Sequence, residues 1–123
     1  MNTENPSLPP CDNAAERTLL GLALQSDQAL MRTIEIIRGD YFYETRHNLI
    51  WNAMLNLNRA ATGVDIVTVA DALDRMQLLS KAGGRTYLSE LIADVPVVAG
   101  MDTQWYAEII RECWRLRNLI RRL

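Results

Sequence analysis

Lysine is almost missing from this chain: of its 13 basic residues, only Lys81 is not an arginine. Arginine favours planar, two-point contacts to carboxylate or phosphate, where lysine offers a mobile point charge. The formal net charge is nevertheless −2, which argues against a protein whose whole surface is built to hold nucleic acid. Cysteine is scarce too. Cys11 and Cys113 have no CxxC spacing and no histidine cluster beside them, so neither a zinc site nor a disulfide framework is indicated, and a reducing, cytoplasmic setting is expected. The single histidine, His47, has no Ser or Cys nucleophile motif to serve, which argues against a His-based triad; it reads as a local hydrogen-bonding or packing residue. No apolar run approaches the ~18 residues of a membrane span. The polar, Pro-rich start lacks the basic and apolar stretches of a signal peptide. Gly83–Gly84 is not followed by the Lys–Ser/Thr pair of a phosphate-cradling loop. Asp71 with Asp74 and Glu108 with Glu112 fall on helix faces expected to be solvated. No catalytic residue, metal ligand or cofactor-binding residue is assigned.

What is present is helical. At 123 residues, 49% of them apolar and 23% charged, the chain has the make-up of one globular domain able to bury a core. Pro6, Pro9 and Pro10 mark residues 1–11 as a flexible lead-in. A first helix is predicted from Asn13 to about Gln25, with Asn13 as cap, Glu16 returning to it in a capping box, and Leu19, Leu20 and Ala23 inward. Gly21 costs about 1 kcal/mol against alanine in that helix, so a neighbouring helix is expected to approach closely there. Asp27 is read as the cap of a second helix that Gly39 ends, with Leu30, Ile34 and Ile37 on its buried side. An aromatic knot follows, Tyr41, Phe42 and Tyr43. The third helix is predicted over Thr45 to Ala61, with Ile50, Met54 and Leu57 inward, Trp51 partly buried and Gly63 as its stop. Asp65 should cap a fourth helix, Ile66 to Gln77, with Val69, Leu73 and Met76 inward. After the turn at Gly83–Gly84 comes a fifth helix, about Thr86 to Ala93, ending before Pro96. Val95 to Met101 reads as a loop. No segment reads as a strand, and there is no internal repeat. The fold class is all-α.

From Asp102 to Leu123 there is neither Gly nor Pro. Tyr106, Ile109, Cys113, Leu116, Ile120 and Leu123 recur in steps of three and four, the spacing of a helix packed along another helix. Six such side chains, at roughly 1.5–3 kcal/mol each, would contribute on the order of 9–18 kcal/mol if fully buried, an upper estimate. A helix of this length is marginal alone in water, so another part of the molecule or another chain is expected to cover it. Arg111, Arg115, Arg117, Arg121 and Arg122 crowd the same helix. Trp114 falls among them on the outer side of this register; tryptophan and arginine are enriched at interface hot spots.

Five residue groups, in this order, resemble a known family. They are Glu16-x-x-Leu19-Leu20-Gly21-x-x-Leu24; Asp40-Tyr41-Phe42-Tyr43 with His47 and Ile50-Trp51; Gly63-Val64-Asp65-Ile66-Val67-Thr68; Gly83-Gly84-Arg85-Thr86-Tyr87-Leu88-Ser89-Glu90-Leu91; and Tyr106-Ala107-Glu108-Ile109-Ile110-Arg111-Glu112. Together, over about Pro9 to Ile120, they are similar to the N-terminal domain of DnaB-type replicative DNA helicases. The resemblance implies a compact helical head (residues 12–100) followed by the first helix of a long hairpin (residues 101–123). It implies domains that pair through their hairpins, three pairs building a collar on a hexameric ring that docks primase. ATP and magnesium would belong to a separate C-terminal motor domain outside these residues, and DNA would be met only through the full ring. A helicase loader is a further partner class. The implied interface residues are Tyr106, Ile110, Arg111, Cys113, Trp114, Leu116, Arg117 and Ile120, with Tyr87 and Asp65 as weaker partner-contact residues; Asp65 reads first as a helix cap. The chain departs from the family pattern at Cys113 and Trp114, where a basic and a small residue are usual, and at Pro96-Val97-Val98-Ala99-Gly100. Two alternatives stay open. One is the helicase-binding C-terminal domain of a primase. The other is a small Arg-rich helical nucleic-acid-binding protein, whose affinity would fall steeply with salt.

Overall fold

Short polar side chains and left-handed turns set many of the helix limits among the described residues. The computed structural model describes residues 10–95 and 102–123. Most of the expected lead-in, and the expected loop from 96 to 101, lie outside the described residues. Among the described residues there are six helices and no strand: α1 (Asn13–Gln25), α2 (Asp27–Ile36), α3 (Thr45–Arg59), α4 (Ile66–Arg75), α5 (Gly84–Ala93) and α6 (Thr103–Arg121). The all-α expectation holds.

Several boundaries shift by a residue or two from the sequence expectation, each for a visible reason. Asp12, not Asn13, caps α1, its Oδ1 accepting from the Ala15 N–H at 3.0 Å. Glu16 does not return to the cap, because it is drawn into the interior. Ser26, not Asp27, caps α2 by accepting from Ala29 N–H at 3.2 Å. That helix ends at Ile36, well before Gly39, as Ile37 turns extended while its N–H still reaches Thr33 O. The stop of α3 is Ala61, which takes φ 57° in place of Gly63, with Thr62 N–H closing back on Leu57 O at 2.9 Å. Asp65 caps α4 as expected, in a reciprocal capping box with Thr68. Met76 lies past the end of α4 and is exposed, not inward. Gly83 and Gly84 both adopt positive φ, and α5 starts directly from them.

Helix α1 is the hub, packing against α2, α3, α5 and α6, while α4 bridges α3 and α5. The core gathers Leu19, Leu20, Leu30, Ile50, Met54, Leu73, Leu88, Leu91 and Ile110. Trp51, expected to be partly buried, is fully buried among them. At the crossing of α1 and α5, a Cβ placed on Gly21 would lie 2.2 Å from the Leu91 carbonyl oxygen. The close approach read from the sequence is therefore real, and glycine is what permits it.

Candidate protein-interaction site on the last helix

Helix α6 starts at Asp102, whose carboxylate accepts from the Gln104 N–H at 2.9 Å. It has two distinct faces. The inner face is Thr103, Ala107, Ile110, Cys113 and Arg117, all buried against the head. α1 and α2 supply the helices it packs on. The opposite face is Trp105, Ile109, Glu112, Leu116, Leu119 and Leu123, in steps of four and three. Trp105 is 58% exposed, Leu119 59% and the neighbouring Ile120 54%; Leu116 is half-buried, and Ile109, half-buried too, packs at the edge of the head's core. Glu112 is the one charge within this stripe, and it bonds Arg115 at 3.3 Å. A shallow hollow of about 330 Å³ runs here, lined by Leu116, Leu119, Glu112, Arg115 and Arg122 among others.

Where α6 leaves the head, two side chains grip the loop between α2 and α3. The Trp114 ring stacks on Tyr41, centroids 4.2 Å apart. One turn on, Arg117 donates to Tyr41 O at 2.7 Å and to Pro10 O at 2.9 Å, and its guanidinium lies 5.4 Å from the Tyr43 ring centre. Both thiols sit nearby and are pushed above their ordinary range, chiefly by burial; the Arg117 charge opposes this for both.

Beneath this region lies a buried polar cluster. Glu16 of α1 accepts from Tyr43 N–H at 2.8 Å, and its Oε1 lies 2.7 Å from Nδ1 of His47. The Nε2 of His47 lies 2.5 Å from the Tyr87 hydroxyl, tying α3 to α5. With an ionised Glu16, Nδ1 carries a proton and donates. Arg46 sits over the Tyr87 ring at 3.8 Å. Burial pushes the Tyr87 hydroxyl above its ordinary range, opposed by Arg46 and Arg17. Arg17 bonds Asp94, which moves its guanidinium still further above the ordinary arginine range. The cluster is closed to solvent: His47 is fully buried and Glu16 nearly so. Its chemistry is structural, with each buried polar atom matched to a partner.

The model of the DnaB-like helicase N-terminal domain matches residues 8–112. The chain belongs to the DnaB-like helicase N-terminal domain family. It is 38% identical over 112 residues to the replicative DNA helicase DnaB of Leifsonia xyli subsp. xyli, covering 91% of this chain and 24% of that protein. It is 38% identical over 117 residues to the replicative DNA helicase DnaC of Bacillus subtilis, covering 95% of this chain and 25% of that protein. The chain thus spans about a quarter of the length of these curated relatives. The crystal structure of the N-terminal domain of DnaB helicase from Mycobacterium tuberculosis is similar at 39% identity and a TM-score of 0.87, over 93% of this chain and 80% of that one. Each of these relatives is by name a replicative DNA helicase or its N-terminal domain.

Within this DnaB-like domain, the residues named from spacing divide between surroundings. Ile110, Cys113 and Arg117 face the head and are buried by it, so they are not surface residues here. Trp114 is half-buried between the two sides: its ring stacks on Tyr41 and also borders the hollow beside Leu116 and Leu119. The stripe read as Tyr106, Ile109, Cys113, Leu116, Ile120 and Leu123 therefore mixes two faces, because Thr103, Ala107 and Arg117, which complete the inner one, are not large apolar residues. Tyr106, Arg111 and Leu116 are half-buried and Ile120 is exposed. Tyr87 is 4% exposed and committed to His47 and Arg46. Asp65 is occupied as a helix cap. Sequence spacing missed Trp105 and Leu119, although the series 105, 109, 112, 116, 119, 123 carries the heptad signal once Glu112 is admitted. Among the described residues no three His, Cys, Asp or Glu side chains converge as metal ligands, and no helix is long and apolar enough to cross a membrane.

Proposed function

We propose that this chain serves as the non-catalytic N-terminal domain of a replicative DNA helicase, joining copies of itself into the collar of a hexameric ring and docking primase on that collar. The observation that carries the reading is the outer face of α6: Trp105, Leu119 and Ile120 stand more than half exposed in line with Ile109 and Leu116. Such a row, at about 1.5–3 kcal/mol per fully covered side chain, offers on the order of 10 kcal/mol toward association, comparable with the cost of immobilising two chains. Family membership supports the same reading. On it, ATP and magnesium act in a motor domain, DNA is met through the assembled ring, and a helicase loader is a second class of partner.

The test is the molecular mass in solution over a wide concentration range. Self-association is expected, weakening at least tenfold when Leu116 and Ile120 are both changed to Asp. A chain that stays monomeric at high concentration would overturn the collar role. Primase docking is read separately, by co-elution of the chain with a primase helicase-binding domain; no co-elution with any oligomer of the chain would remove that half of the proposal.

A nucleic-acid-binding role for the arginines is less well supported. Arg117 is buried, and Arg115 is paired with Glu112. A DNA titration at two salt concentrations separates the readings: tight binding lost at the higher salt favours the arginines.

A further inference from the structure

Arg117 is a charged residue only 8% exposed, at the point where α6 parts from the head. Burying a guanidinium is costly unless its N–H groups find acceptors. Here the acceptors are main-chain carbonyls from two separate segments, Pro10 ahead of α1 and Tyr41 between α2 and α3. Trp114, one turn earlier, stacks on the ring of the same Tyr41. Main-chain acceptors fix backbone to backbone, so this pair of side chains holds the course of α6 and does not merely fill space. Beyond Arg117 the helix has exposed Leu119 and Ile120, with no buried residue after it.

We infer that Arg117 and Trp114 form a clamp that fixes the direction in which α6 leaves the head, so that the supported part of its outer face and the unsupported part beyond Arg117 are presented as one straight rail. They are positioning residues: Arg117 faces the head, and Trp114, which also borders the hollow beside Leu116 and Leu119, stacks on Tyr41. The clamp prepays the ordering of the distal turns before a partner arrives, which is how pre-organisation raises affinity without adding contacts. Trp114 gives this chain a grip that a small residue at the same position could not supply, since stacking on Tyr41 needs a broad, flat group. The inference rests on the collar reading for what the rail is for, but not for the clamp itself.

Amide hydrogen exchange on the 123-residue chain, with Arg117→Met and Arg117→Lys, tests it. Each charge-assisted bond lost is worth roughly an order of magnitude or more in a local opening equilibrium. Arg117→Met should therefore speed exchange of the α6 amides from Cys113 to Arg117 about tenfold or more, with α3 to α5 unchanged. It should also weaken self-association, although Arg117 faces the head. Arg117→Lys, which keeps the charge but not the fork, should fall between. Unchanged exchange in α6 overturns the clamp, and so does an equal loss of protection in every helix, which would make Arg117 an ordinary packing residue. Local loosening with undiminished association overturns the link to the rail. Should the wild-type chain not associate at all, the collar reading falls while exchange still decides the clamp.

Discussion

Gly21 is the position where the molecule has least room. Its missing Cβ would come within 2.2 Å of Leu91 O and 2.5 Å of Val95 Cγ2. One of those neighbours is backbone and cannot rotate away. Gly21→Ala is therefore expected to destabilise the fold by about 3 kcal/mol, at the upper end for overpacking, despite the better helix propensity of alanine; urea unfolding monitored by circular dichroism measures it. The requirement was legible in the sequence, because a glycine inside an otherwise regular helix needs a reason. The partner of Glu16 was not. A Glu three residues after a capping side chain has the local signature of a capping box, and only the tertiary fold brings His47, 31 positions away, to within 2.7 Å of its carboxylate. His47 was read as a local hydrogen-bonding or packing residue; it does form hydrogen bonds, but with Glu16 and Tyr87, 31 and 40 positions away, which local spacing cannot indicate.

Helix ends tell a similar story among the elements. Two of them finish on side-chain-bearing residues in the left-handed region, Ala61 at φ 57° and Gln77 at φ 59°. Both are exposed, and each is followed by a tight closing bond, Thr62 N–H to Leu57 O and Leu78 N–H to Leu73 O. Glycine is the residue such a turn prefers, since a Cβ there costs on the order of 1 kcal/mol. Ala61→Gly and Gln77→Gly should each raise stability by about 0.5–1 kcal/mol, seen as a higher melting temperature; a fall in both would show that these turns relax in solution. The sequence placed every helix because apolar spacing and breakers agree along most of the chain. It mis-set the register of α6 because that helix has apolar residues on opposite sides. Counting only large apolar letters splices the two rows into one. Small Ala107 and charged Arg117, both buried, are what a count of that kind discards.

For the molecule as a whole, burial favours the neutral form at three positions. Cys11, Cys113 and Tyr87 all have pKa values raised by burial, from ordinary values near 9.0 for the thiols and 10.0 for the phenol. Each folded value lies above its unfolded counterpart, and the neutral form is the one the fold prefers. The stability this contributes is present in full below the unfolded values and is lost as pH rises through the folded ones. The urea midpoint should hold steady near neutrality and decline above about pH 9, and a chain carrying both Cys113→Ala and Tyr87→Phe should decline less steeply. Architecture and family could be read from the chain because both rest on local patterns repeated over its length. The two-sided use of α6 could not, because it depends on which neighbour each side finds.

That two-sidedness bears on how such a helix can change over time. A single residue inserted into α6 after Arg117 would turn everything beyond it by ~100°, swinging Leu119 and Leu123 out of line with Trp105 and Leu116 while the grip on Tyr41 stayed put. Seven inserted residues would bring the two segments back nearly into phase. Point substitutions can accumulate separately on either flank of the rod, whereas an insertion within it keeps the two segments in line only when it comes close to whole helical turns.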